Sequence, residues 1–379
     1  MKTRKVLSLM IALVMLMSAF AGCSNGKKTE GQTQTKNETR IITDHNGNEV
    51  EVKNEIGRIV ICDIFPIASV LTVFFDSAEK IVGMPPASMA AAKNGLLGEL
   101  FPEILNASTA FSDGSTVNIE EVIKLSPDVA FYSASNESLG EELRAAGIPA
   151  LAVSAEKWDY DAIKTLENWA KLFGEIFTES DRSEKVISKC EEIYKLVGER
   201  VKDIPQEEKE KVFFLFQYSD TTMLTSGKKF FGQWWADAIG AVNVGSALEN
   251  NNSAPVNMEQ VYQWNPSLIF ITNFTTATPD TLYTNGMNND DWSVVSAVKN
   301  KRVYKMPLGM YRGYLPGADT PLTLLWLAKT AYPKLFEDID IIDETKAYYS
   351  EVFSITLTDT QAEKIFAPSS QAGNVSDVK

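Results

Sequence analysis

The sequence predicts an α/β protein of two Rossmann-like lobes with mainly parallel sheets, joined by a long connecting helix. Three observations carry that expectation. First, Asn118-Ile-Glu-Glu-Val-Ile-Lys-Leu-Ser-Pro-Asp-Val-Ala-Phe-Tyr-Ser133 recurs as Asn257-Met-Glu-Gln-Val-Tyr-Gln-Trp-Asn-Pro-Ser-Leu-Ile-Phe-Ile-Thr272, at a constant offset of 139 residues. Second, short apolar runs alternate with helical patterns on both sides of this repeat, the spacing of βαβ units. Third, a long helical stripe lies between the two copies. Each copy has an Asn that caps a helix, an acidic first turn that suits the positive helix end, a proline that breaks the helix, and an apolar run. Val129–Tyr132 and Leu268–Ile271 suit buried parallel strands.

The 379 residues are 44% hydrophobic and 23% charged, a globular composition long enough for two lobes. The first segment is an address. Lys2, Arg4 and Lys5 precede an apolar stretch from Val6 to Met17, then Ser18-Ala-Phe-Ala-Gly22 and Cys23, so residues 1–22 read as a signal peptide. Cys23 after Ala-Gly resembles a lipoprotein lipobox, with Phe20 where Leu is usual, which implies that Cys23 is lipidated, with plain secretion or a retained anchor as the alternatives. The apolar run is too short to favour a membrane-spanning helix. Removing the three cations takes the net charge from −14 to −17, which argues against nucleic acid as a partner. Cys62 and Cys190 read as buried free thiols, with pairing as the alternative.

Residues 23–39 form an aperiodic polar spacer. The first lobe is expected over 40–177. It opens with a hairpin around Asn46-Gly47-Asn48, whose His45, the only histidine, reads as a solvated turn residue. Strands follow at Arg58–Cys62, Glu79–Gly83, 129–132 and Ile148–Val153, with helices after Pro66, after Asn118 and from Leu139. A helix from Tyr160 to Phe173 is expected to end at Gly174. The connecting helix is placed at 178–204, with Thr178 and Asp181 as caps and a stripe of Val186, Cys190, Ile193, Tyr194, Val197 and Val201. About twenty-four residues would span roughly 36 Å. The second lobe, 205–366, has strands at Lys211–Tyr218, 268–271 and Arg302–Met306, helices over the stretch from Ser226 to Ile239, from Asp291 to Lys299 and from Pro321, and a loop at Met310–Pro316. Residues 367–379 read as a disordered polar tail.

Several marks along residues 40–366 resemble the substrate-binding lipoproteins of ABC importers for iron–siderophore, haem and cobalamin. They are Thr43-Asp-His-Asn-Gly47, Arg58-Ile-Val, the segment from Asn118 to Asp128, the run from Trp292 to Tyr304, and Pro321 to Pro333. The resemblance implies an extracytoplasmic, lipid-anchored monomer that delivers its ligand to an ABC permease dimer with its ATPase. It also implies that Glu120 and Glu259 form salt bridges to permease arginines. Equivalent charges on both lobes suit a two-fold partner, although an acidic first turn also serves the helix dipole. Glu121 is the rival in the first lobe, weakened by Gln260 at its counterpart.

Ligands of open α/β sheets bind beyond the carboxyl ends of the strands. The candidate cleft residues are therefore Phe65, Tyr132, Tyr218, Phe231, Trp234, Asn273, Tyr311 and Arg312. Aromatic faces with a guanidinium suit a flat anionic chelate, and a ferric siderophore is the first expectation. Corrinoid, tyrosine-bound haem and an oxyanion such as molybdate remain alternatives. No protein-bound metal or cofactor is expected, since the lone His45 is misplaced for one. An exported enzyme is the reading from a different class. The sequence has no G-x-S-x-G elbow, zinc-type His pair or phosphate loop to support it.

Overall fold

The computed structural model describes residues 38–178 and 180–374. The signal segment, Cys23 and nearly all of the spacer lie outside the described residues. Strands β1 (Thr39–Thr43) and β2 (Glu49–Lys53) form the expected antiparallel hairpin. Strands β3 (Ile59–Ile61), β4 (Ile81–Gly83), β5 (Val129–Ser133) and β6 (Ala150–Val153) make a wholly parallel sheet in the order β4-β3-β5-β6. β3 and β6 are buried along their whole length, as strands covered by helices on both faces must be.

The hairpin tip is docked rather than solvated, which corrects the expectation for His45. Its neighbour Asp44 is buried and accepts hydrogen bonds from the Asn46, Asn48 and Ala152 amides at 2.9, 2.9 and 3.0 Å. His45 Nδ1 accepts from the Ser154 amide at 3.0 Å, and its ring meets Trp158 edge-on at 5.0 Å. The tip thereby covers the backbone of β6, an edge strand that would otherwise be open to pairing.

The second lobe holds β7 (Lys211–Ser219), β8 (Thr222–Ser226), β9 (Val242–Asn243), β10 (Ser253–Pro255), β11 (Leu268–Ile271) and β12 (Val303–Lys305). The sheet order is β10-β8-β7-β11-β12, with β9 beside the start of β7. Its core repeats that of the first lobe. Ile59 pairs in parallel with Val129, and Val212 pairs in parallel with Leu268, the position 139 residues on. The residues before the two prolines, Ser126 and Asn265, share the same offset and a left-handed backbone, with φ of 47° and 42°. Asn118 and Asn257 cap their helices through side-chain oxygens, as expected. The lobes differ on the other side of the central strand. A helix, Ile67–Phe75, leads to the parallel β4, whereas a tight turn at Asp220-Thr221 leads to the antiparallel β8.

The connecting helix runs Arg182–Val201, 20 residues, and so is about 30 Å long rather than 36. Asp181 stands at its N-cap but makes no side-chain cap; it pairs with Lys185 instead. Val186, Cys190, Ile193, Val197 and Val201 are buried as the stripe predicts, while Tyr194 is exposed and stacks on Trp234. The helix before it runs Ala162–Ile176, straight through Gly174. A Cβ at Gly174 would lie 3.1 Å from Ser183, so this glycine permits a close helix crossing rather than a stop. Cys62 and Cys190 are buried free thiols in separate clusters, and burial raises both thiol pKa values. After the second sheet, helix Ile341–Phe353 packs on the connecting helix. Helix Asp359–Phe366 then returns to the first lobe, where Gln361 and Lys364 bond Glu99.

Burial, and then the nearby Lys157 charge, lower the His45 pKa from 6.5 to about 4. The unfolded chain binds this proton more readily, so the stabilisation is complete above pH 6.5 and is lost as pH falls toward 4. Its full size is about 3 kcal/mol. We expect urea unfolding of the parent to lose about 2–3 kcal/mol more than His45→Gln between pH 7 and 4.5. Parallel stability curves would show that the ring is not held neutral.

Candidate functional site

The loops after β3, β6, β11 and β12, together with β7 and the start of helix Phe231–Ala238, enclose an interlobe cleft of about 360 Å³. The first lobe contributes Asp63, Phe65, Pro66 and Tyr160; the second contributes Phe216, Phe230, Phe231, Phe274 and Leu315. The aromatic wall is continuous. Phe216 lies 5.2 Å from Phe230 and 5.0 Å from Phe274, and Tyr160 reaches across to Phe231 at 5.3 Å. Opposite this wall Asp63 accepts from the Ser133 amide and Asn136 Nδ2, and burial raises its pKa. A larger hollow, about 590 Å³, opens on the flank of the second lobe beside Arg200 and Arg302. Its two arginines are already paired, with Asp338 and Glu210, and Lys334 at its rim is exposed to solvent.

Beside the cleft lies Arg312, 2% exposed. Its Nη1 donates to the Tyr311 hydroxyl at 3.2 Å and its Nη2 to the Ala372 carbonyl at 2.5 Å, while Nε has no partner. The guanidinium lies 4.6 Å from the Phe274 ring centre. Among the described residues no carboxylate is within ion-pair range of it. The other buried cation nearby, Lys305, donates to the carbonyls of Thr272, Thr275 and Ala277. Burial, and then the charge of Arg312, press its pKa down to about 7. The Arg312 loop is fixed from behind by Asp319, which accepts from the Met310 amide at 2.7 Å and from the Tyr349 hydroxyl; burial raises its pKa to about 6. A buried cation without a carboxylate is costly, and the cost falls when an anion arrives.

Of the residues singled out from sequence, Phe65 and Phe231 line the cleft, and Tyr311 and Arg312 stand beside it. Asn273 is buried and donates to the Met306 and Pro307 carbonyls, so it holds the cleft loop in place. Three others lie elsewhere. Tyr132 points under helix Glu137–Ala145, where Arg144 donates to its hydroxyl. Trp234 faces the connecting helix. Tyr218 packs in the outer core layer, bonded to Asp290 and Trp292. A register shift in β7 between Leu215 and Gln217 explains the last case. Simple alternation would put Tyr218 on the face of Phe214 and Phe216; the bulge turns it to the face of Phe213 and Leu215. The sequence reading missed Tyr160 and Phe216; Phe230 and Phe274 lie in the loops 230–235 and 273–276, which it took as cleft candidates without singling out these two side chains. Only the Phe-rich run at 213–216 signalled either of the missed pair. The expected disordered tail is also corrected: Ser370–Gly373 forms a helical turn and Ala372 is fully buried.

With the cleft in view, comparison with known proteins is informative. A family model described as periplasmic binding protein matches residues 80–308. The chain belongs to the periplasmic binding protein family. It is 26% identical over 334 residues to the molybdate-binding protein MolA of Haemophilus influenzae, covering 83% of this chain and 91% of that one. It is 25% identical over 304 residues to an ABC transporter substrate-binding lipoprotein, YvrC, of Bacillus subtilis, covering 78% and 87%. The crystal structure of a periplasmic solute-binding protein from Veillonella parvula superposes with a TM-score of 0.77 at 28% identity, covering 87% of this chain and 97% of that one. The family consists of the extracytoplasmic solute-binding components of ABC importers, and the two-lobed α/β fold is theirs.

The repeated helices, Ile119–Lys124 and Met258–Trp264, display Glu120 and Glu259 to solvent. One turn further, Ile123 and Tyr262 are 48% and 39% exposed, and they too are 139 residues apart. Glu121 instead pairs with Lys124, and Gln260 closes a capping box on Asn257.

The unpaired state of Arg312 leads to a prediction about stability. Arg312→Met keeps the bulk and removes the charge. The unliganded variant is expected to unfold within about 1 kcal/mol of the parent or above it, whereas breaking a buried ion pair costs about 3–5 kcal/mol. Denaturant melts of the two proteins decide it; a loss of the larger size would mean that the cation is structural.

Proposed function

We propose that this protein captures an anionic metal chelate, a ferric siderophore, in the interlobe cleft and hands it to an ABC importer without catalysing a reaction. The observation that carries the reading is the buried Arg312 guanidinium, without a carboxylate among the described residues, beside a cleft walled by aromatic rings. A flat organic ligand gains area against Phe216, Phe230 and Phe274, while its charge meets Arg312. The cleft volume falls within the usual range for small-molecule sites, about 300–1,000 Å³. A second reading is a compact oxyanion, as the name of the Haemophilus influenzae relative indicates for that protein. The free Nε and the carbonyl-bound Nη2 of Arg312 favour it, since a fork of donors suits tetrahedral oxygens.

Delivery rests on the two lobe tips. Each presents a glutamate and, one turn on, an exposed apolar side chain at matched positions, which suits a two-fold permease carrying arginines. Lipidation of Cys23 would tether the domain to the outer face of the membrane, in keeping with a relative named as a lipoprotein. Radiolabelled palmitate should enter the parent chain and not Cys23→Ser; label in both chains would remove the anchor.

Tryptophan fluorescence and thermal shift against ferric hydroxamates, ferric catecholates, haem, a corrinoid and molybdate separate the readings. We expect one ferric siderophore to bind below micromolar concentration and to raise the melting temperature. Binding of molybdate alone selects the second reading, and silence across the panel removes both. The double variant Glu120→Ala/Glu259→Ala should keep that affinity and lose uptake in cells. Undiminished uptake would overturn the docking assignment.

A further inference from the structure

We infer that the C-terminal segment, residues 367–374, is a built-in competitor for the anion anchor, so that Arg312 is exchanged between the chain's own tail and the ligand. The inference rests on the proposed anion site and adds its regulation.

Three contacts show that the segment is seated rather than draped. Ser369 Oγ accepts from the Gln371 amide and starts the turn Ser370–Gly373. Ala372 is fully buried in a small cluster with Ala91 of the first lobe and Leu308 and Tyr311 of the second. The cleft residues Phe65, Phe274 and Leu315 pack on the same cluster. Gly373 lies so close to Thr275 that a Cβ there would stand 2.4 Å from the Thr275 carbonyl carbon. The turn therefore touches both lobes and the aromatic wall together. It reaches the guanidinium through the Ala372 carbonyl, which accepts from Arg312 Nη2.

The chemistry of that bond makes it replaceable. A carbonyl oxygen carries partial negative charge and accepts one branch of the guanidinium fork, leaving Nε unpartnered. An anionic oxygen pair would take two branches and supply a full charge, a stronger match than a neutral acceptor. The segment holds no carboxylate between Ala367 and Asn374 that would pair permanently with Arg312. With the tail docked, only the fraction of molecules with a free anchor binds ligand at full strength. If it is docked nine-tenths of the time, apparent affinity is reduced about tenfold.

Two variants test this in the otherwise full-length mature chain: truncation after Phe366, and Gly373→Val, which cannot seat against Thr275. Far-ultraviolet circular dichroism verifies that each is folded. Phenylglyoxal labelling, mapped to the Arg312 peptide by mass spectrometry, reads the anchor without any ligand. Ferric hydroxamate and catecholate siderophores and molybdate serve as affinity probes. We expect Arg312 to label several times faster in both variants, and the bound probe to bind about tenfold more tightly. Unchanged labelling in both variants overturns the inference, and probe binding in the parent would then leave the anion site standing. Faster labelling with unchanged or weaker probe affinity also overturns it, because the tail would then be a cover and not a competitor. Faster labelling with no probe bound by any form removes the anion site itself, and the competition with it.

Discussion

Parallel pairing is the constraint on which the rest of this molecule depends. Two parallel strands cannot be joined by a hairpin, so the pairs β3–β5 and β7–β11 each oblige the chain to cross a sheet face before returning. The crossover ends in the same device in both lobes: an Asn-capped helix, a left-handed residue, a proline and a buried strand. Once the strands run the same way, their carboxyl ends and following loops gather at one edge of each sheet. The cleft is where those two edges meet. The cap that starts each crossover helix leaves its first turn outside, which is why the repeat displays Glu120 and Glu259 while its strand is buried.

How much of this was legible in the sequence depended on the range of the forces involved. Caps, prolines and buried strands are set within a few residues, and the repeat was readable to the matching residue: Ser126 and Asn265 even share a rare backbone conformation. The hairpin, the parallel sheets and the buried stripe of the connecting helix were readable for the same reason. What misled were local signals reused for distant contacts. Gly174 has the composition of a helix stop, yet its missing Cβ makes room for Ser183. Tyr218 has the parity of a cleft residue until one extra residue in β7 reverses it. His45 sits in a polar turn, yet that turn is spent on shielding β6. The partner of His45, Ser154, is 109 residues away, and the other two effects lie beyond what helix-stop or alternation rules record.

The candidate site divides along the same line. Arg312 was readable as a cation in a loop bounded by glycine and proline, but its burial and the support from Asp319 depend on contacts between separate segments. Asp319 itself is held against its own preference: burial raises its pKa, while the Met310 amide and Tyr349 hydroxyl favour the ionised form. The same bonds fix the loop that carries the proposed anchor.

A binding protein that must also release its cargo has reason to leave its anchor half satisfied. A built-in carboxylate would stabilise the empty state, and a ligand would first have to break a buried ion pair at a cost of about 3–5 kcal/mol. A wholly unpartnered guanidinium would destabilise the empty state and hold the ligand too firmly. Beside the fixed bond to the Tyr311 hydroxyl, one replaceable hydrogen bond to the charged group, worth about 1.5–3 kcal/mol, lies between these extremes. The Ala372 carbonyl supplies one such bond, from a short turn that packs against both lobes and is not part of either sheet. On the proposed exchange, residues that read as a disordered polar tail set how tightly the cleft holds what it carries.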